Sequence, residues 1–103
     1  MNSKFNYFIG KSSSLIYRLC IGEGAAKLRL IECEREIHSM LRAPIPKEFR
    51  ALKDKIEREL FYDGDSYISL RQSLFGRRNS FASKIIADIY TLHQKVVNYM
   101  KYL

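Results

Sequence analysis

Few side chains in this sequence are of types that do chemistry, and their spacing limits what they can do. The only histidines are His38 and His93, and the only cysteines are Cys20 and Cys33. Cys33 stands five residues before His38, but a structural zinc needs four such donors, and the sequence supplies no others at ligand spacing. Glu32, Glu34 and Glu36 alternate around a helix instead of converging, so they do not make the paired carboxylates of acid–base catalysis. There is no glycine-rich phosphate loop and no nucleophile elbow. The expectation is a non-enzymatic protein with no metal and no cofactor.

The one arrangement suited to a ligand is FGRRNSF, residues 75–81. It places Arg77 and Arg78 in front of the expected start of a long helix, where the helix dipole already disfavours cations by about 0.3–1 kcal/mol. An anion would reverse that penalty. Two guanidiniums beside free backbone N–H groups make a phosphate or carboxylate site, with Asn79 and Ser80 at the helix start. The plain alternative is a solvated corner whose arginines only aid solubility. The string RRNSF also fits the target pattern of basophilic kinases at Ser80, although a serine that caps the helix accounts for the same residue.

A second stretch, GDSYISLRQSL (64–74), resembles the turn and recognition helix of helix-turn-helix proteins. Gly64, Ser66, Ser69, Leu70 and Leu74 match that pattern in character. Asp65 stands where the pattern has an apolar residue, and Leu60 where a small one lets the helices touch. The resemblance covers eleven residues and implies DNA binding by segment 60–78, with Arg71, Gln72 and Tyr67 facing the groove.

These groups must be positioned by helices. In residues 3–21 the positions Phe5, Phe8, Ile9, Ile16, Leu19 and Cys20 fit one helical stripe. Gly10 and the serines 12–14 threaten to split that helix, and FNYFI could form a short strand. Gly22 and Gly24 precede a helix over residues 25–42, with Leu30, Cys33, Ile37, Met40 and Leu41 on one face. Pro44 and Pro46 stop it, and Pro46 suits the first position of a helix over 46–62. There Phe49, Leu52, Ile56 and Leu60 face inward. Arg50 and Asp54, Lys53 and Glu57, Asp54 and Arg58, and Lys55 and Glu59 are opposite charges four apart, predicting a self-paired solvent face.

Asp63, Gly64 and Asp65 make a turn, Ser66 caps a helix ending at Gly76, and Asn79 or Ser80 caps the last one, about 36 Å long. Ala82, Ile85, Ile89, Leu92, Val96, Tyr99 and Leu103 alternate three and four apart along it. Such a seam suits the centre of a bundle or a homodimer through 82–103. The fold expected is all-α: one domain over 1–103, an antiparallel bundle of four to five helices with a long C-terminal helix.

Charge completes the reading. The chain has 103 residues and a net charge of +7. Residues 1–22 hold Lys4, Lys11 and Arg18 and no acid, while residues 66–103 hold six basic groups against Asp88 alone. If the first and last helices are neighbours, Lys11, Arg18, Arg71, Arg77, Arg78, Lys84 and Lys95 share one basic side. Tyr7, Tyr17, Tyr90, Tyr99 and Tyr102 are interleaved with them. That side would dock on an acidic macromolecule, a protein before a nucleic acid, since a dedicated nucleic-acid binder shows a denser basic stripe. Cys20 and Cys33 read as reduced, buried thiols of a cytoplasmic protein. No apolar window is long enough to insert into a membrane.

Overall fold

The computed structural model describes residues 4–22 and 24–102. Helices dominate: α1 (Asn6–Ile21), α2 (Ala26–Glu32), α3 (Glu34–Arg42), α4 (Arg50–Phe61), α5 (Leu70–Leu74) and α6 (Asn79–Lys101). A single 3-10 turn, Lys47–Phe49, leads into α4, and a hairpin of two-residue strands, β1 (Tyr62–Asp63) and β2 (Ser66–Tyr67), follows it. The all-α bundle expected from the periodicity is therefore the fold, with six helices among the described residues in place of four or five.

The α6 stripe is the axis of the core. Ala82, Ile85, Ile89, Leu92 and Val96 are all buried, and α1, α2, α4 and the 3-10 turn pack around them. The seam is thus filled by the chain's own helices, while its last position, Leu103, lies outside the described residues. Helix α1 runs antiparallel to α6: Phe5 meets Tyr99 edge-on at 6.0 Å, and Ser12 Oγ lies 2.6 Å from His93 Nδ1.

Several details differ from the sequence expectation, some for local and some for tertiary reasons. Helix α1 is unbroken from Asn6, with no strand in FNYFI. Gly10, Ser13 and Ser14 face solvent, where helix propensity alone is at stake. Ser12 is fully buried, yet its hydroxyl also lies 3.2 Å from the Ile9 carbonyl oxygen. A buried hydroxyl with partners costs little, so the serine run does not split the helix.

The helix expected over 25–42 breaks at Cys33 (φ −102°, ψ 16°), whose N–H turns back to the Leu30 carbonyl at 3.1 Å. The break lets α2 lie against α6 while α3 lies against α1. The inward positions Leu30, Cys33, Ile37, Met40 and Leu41 stay buried throughout.

Pro46 is extended (φ −57°, ψ 143°) and precedes the 3-10 turn, so it flanks that turn and is not the first residue of α4. Ser66 belongs to β2, and the helix cap expected there is Ser69, whose hydroxyl accepts the Gln72 N–H at 3.1 Å. Gly64 (φ +62°) takes the left-handed backbone at the hairpin tip, a conformation that costs glycine least. The Tyr62–Tyr67 pair, 5.6 Å apart and edge to face, clasps this hairpin. With residues 66–67 in a strand and α5 only five residues long, segment 64–74 does not form the long recognition helix that the helix-turn-helix resemblance implied.

Candidate functional site

The basic residues of the terminal helices meet different surroundings. Their positions follow from which acids the tertiary packing brings near them. Arg18, on α1, pairs with Glu36 of α3. Lys84, on α6, lies 3.8 Å from Glu59 of α4, and Lys55 of α4 bridges Glu59 at 3.4 Å and Asp88 of α6 at 3.3 Å. The Asp88 contact, the largest influence on Lys55, raises its pKa above the ordinary lysine value. Of the four ion pairs expected within the third predicted helix, Lys55–Glu59 is the one formed among the described residues. Lys53 turns instead to the Leu41 carbonyl at 3.0 Å.

Lys11 lies over the Tyr7 ring, 5.4 Å from its centroid, on the exposed side of α1. Lys95 sits near the far end of α6, in a shallow groove with Glu48, Phe49, Asn98, Tyr99 and Tyr102. Sixteen residues of α6 separate it from Asn79, about 24 Å along the axis. Neither residue shares a surface with the α5–α6 junction.

At that junction a group of cations is left without acids among the described residues. Helix α5 ends with the Phe75 N–H bonded to the Arg71 carbonyl at 3.1 Å, and Gly76 (φ +78°) redirects the chain in the left-handed region. Arg77 and Arg78 follow on the surface, and Arg78 is the residue before α6. The Arg77 guanidinium lies 4.0 Å from the centroid of the Phe81 ring, a cation–π contact that holds it without neutralising it.

Lys27, at the start of α2, reaches across and donates to the Arg77 carbonyl at 2.6 Å. Asn79 does not cap its own helix: its Oδ1 accepts the backbone N–H of Lys27 at 3.3 Å. The first turns of α2 and α6 are thereby tied together. Ser80 does not cap α6 either, since no side chain does; it is exposed in the first turn.

Among the described residues no carboxylate lies within 4 Å of the charged groups of Lys27, Arg71, Arg77 or Arg78. Phe75 is 87% exposed beside them. The corner therefore joins two features usually found apart on a folded surface: unanswered positive charge and a fully presented aromatic ring.

Sequence reasoning found Arg77, Arg78 and Arg71 here but missed Lys27 and Phe75. A basic residue at the start of a helix is the same irregularity in Lys27 as in Arg77–Arg78. Nothing in the spacing, however, says that residues fifty apart meet. Nor does the spacing around Phe75 tell that its ring faces outward.

The groups suited to chemistry are placed for packing. His93 is half-buried against Ser12, and burial pushes its pKa below the ordinary 6.5. Donation from Nδ1–H to Ser12 Oγ, with the serine donating in turn to Ile9, satisfies every contact. His38 stacks on Phe61 at 4.3 Å, and its Nε2 lies 3.3 Å from the Tyr67 hydroxyl and 3.7 Å from Glu34 Oε2.

Cys33 is buried as expected, and burial raises its thiol pKa. Cys20 is exposed, against expectation, because α1 turns Leu19 and not its neighbour inward. No helix among the described residues is long and apolar enough to cross a membrane, and no group of three metal-binding side chains forms among them. No family model, no curated protein and no solved structure matches this chain.

Proposed function

We propose that this is a small non-enzymatic binding protein whose α5–α6 corner docks on an acidic segment of a partner protein, as an inhibitor or adaptor would. The observation that carries the reading is the unequal pairing of its cations. Arg18, Lys55 and Lys84 find carboxylates within the chain, whereas Lys27, Arg71, Arg77 and Arg78 find none among the described residues. Charges that folding leaves unanswered remain available to a partner, and they set both association rate and specificity.

Phe75 favours a protein over a nucleic acid as the acidic partner. A large aromatic side chain beside arginines is the composition of a protein–protein anchor. Duplex nucleic acid draws on a longer basic stripe, and here Lys95 and Lys11 lie away from the corner. A homodimer through α6 would have to use its outer face, since the buried stripe is already covered. The location in which an unpaired thiol such as Cys20 stays reduced is the cytoplasm.

The test is titration of the protein with polyglutamate and with a DNA duplex at two salt concentrations, for wild type and for the Arg77→Ala/Arg78→Ala variant. Polyglutamate should bind, and the double variant should bind it about tenfold or more weakly while melting at the wild-type temperature. Binding of the duplex alone, with the salt slope falling by about one per lost arginine contact, would replace the protein partner by nucleic acid. Equal affinities of both proteins for polyglutamate would remove the corner from the binding surface.

A further inference from the structure

The segment Arg77–Arg78–Asn79–Ser80–Phe81 sets arginines three and two residues before a serine and an aromatic residue after it. Basophilic serine kinases select this spacing because their acidic pockets accept the two guanidiniums while the apolar side chain follows the acceptor. The competing explanation is that Ser80 exists to cap α6. The fold removes it: α6 has no side-chain cap, and among the described residues the Ser80 hydroxyl has no hydrogen-bond partner. It is exposed, as are Phe75, Gly76, Arg77, Arg78 and Asn79 before it. Both arginines precede the helix, with Arg78 in extended backbone (φ −78°, ψ 156°), the conformation in which a kinase cleft reads its substrate.

We propose that Ser80 is a phosphorylation site for a basophilic serine/threonine kinase, and that its phosphate switches off the docking corner. In the transfer, Ser80 Oγ forms a bond to the γ-phosphorus of ATP. The bond from that phosphorus to the β,γ-bridging oxygen breaks, ADP leaves with the electron pair, and the hydroxyl proton passes to the kinase's base. The second half of the proposal rests on the function proposed above; the first half does not.

Seating Ser80 in a kinase requires the first turn of α6 to open. That turn is anchored at its inner end by the fully buried Ala82 and by Phe81 packed on the core, and its outer end, Arg77–Ser80, is held by fewer contacts. The Phe81 N–H bonds to the Arg78 carbonyl at 3.1 Å, Arg77 lies over Phe81, and Lys27 makes its two contacts with Arg77 and Asn79. Lys27 thus gates access to the serine, and removing its side chain should favour the open form.

Once added, the phosphate carries a charge of about −1.5 to −2 in the first turn of a 23-residue helix, three residues from Arg77 and two from Arg78. It pairs with the guanidiniums that an acidic partner would otherwise engage. It also opposes the partner's carboxylates directly.

The experiment uses the full chain, the catalytic domain of a basophilic serine kinase and magnesium-ATP, with intact-mass and peptide mapping as readout. One phosphate should be incorporated, on Ser80. Ser80→Ala should abolish incorporation, and Arg77→Ala should lower kcat/KM about tenfold or more, the loss of one charge-assisted contact in the kinase cleft. Lys27→Ala should raise the rate about fivefold, the shift expected from one net hydrogen bond lost from the closed form. The phosphorylated protein should melt about 2–5 °C higher, because the charge now suits the helix end.

Absence of incorporation at Ser80, or incorporation confined to Ser13 and Ser14, overturns the site. If Ser80 is modified but polyglutamate binds phosphorylated and unmodified protein equally, the site stands and its switching role is overturned. If unmodified protein does not bind polyglutamate at all, the docking function fails, and the mass measurement still decides the site on its own.

Discussion

The α4–α6 surface and the α5–α6 corner carry the same kinds of cation, and folding treats them in opposite ways. On the first, Lys55 and Lys84 converge on Glu59, and Asp88 meets Lys55 from the other helix. Both lysines there have a carboxylate within 4 Å. At the corner, Lys27 and Arg77 are used through a backbone carbonyl and an aromatic ring, which fix their positions but leave their charge intact. Net charge alone therefore does not locate a binding surface. What sets the corner apart is that cations without an acid among the described residues stand there beside a fully exposed aromatic ring, Phe75.

The largest way to disturb the comparison is to disturb the helix that both regions share. Replacing Ile89, fully buried at the middle of α6, with alanine should cost about 2–5 kcal/mol of stability. Denaturant melts measure this, and both surfaces should be lost together in one transition. A cost near zero would mean that α6 is not the axis of the core.

Next in size is the cap that fixes where the corner begins. Ser69→Ala removes the acceptor for the Gln72 N–H and should cost about 1 kcal/mol. It should also weaken polyglutamate binding, because α5 sets the exit of Phe75 and Gly76. Loss of stability with full binding would show that the corner is positioned by Lys27 and Asn79 instead.

The pH dependence separates the scaffold from the surface. The pKa of His93 is lowered by burial in the fold, so the unfolded chain binds its proton more readily. Its contribution to stability is fully present above 6.5, the unfolded value, and is lost as pH falls through the lower folded value. Melting temperature should therefore decline below about pH 6.5, and His93→Gln should flatten that part of the profile. An unchanged profile would assign the decline to carboxylates.

The smallest effect sharpens the contrast most directly. Lys84→Ala should change stability by about 0.2–1 kcal/mol at most, as exposed ion pairs do, and should leave polyglutamate binding intact. A loss of binding equal to that of the Arg77→Ala/Arg78→Ala variant would erase the distinction between paired and unpaired cations.

Much of the architecture is legible in the order of residues alone. Ile85, Ile89, Leu92 and Val96 are buried where their three- and four-residue spacing places them, because a stripe at helical period turns one face to the core, with Phe81, Ile86 and Met100 packed along its edges. Leu30, Ile37 and Met40 are equally legible, and the break at Cys33 between them is not. No glycine or proline marks it; it arises because α2 and α3 pack on different partners. Ser66 and Ser69 are both good caps, and only the pairing of Tyr62 with Tyr67 decides that the first belongs to a strand.

The candidate site divides along the same line. The sequence by itself determined that the chain is helical, that α6 carries the longest apolar stripe, and that Arg77 and Arg78 stand before it. Those are consequences of periodicity and of local backbone chemistry, which act within a few residues. Only the tertiary structure decided that Arg18 and Lys84 are neutralised, that Lys95 lies at the other end of α6, that Lys27 joins the corner, and that Phe75 faces outward. Each of those depends on which residues far apart in the chain come within about 4 Å, the range over which an exposed charge finds its partner before solvent and salt screen it.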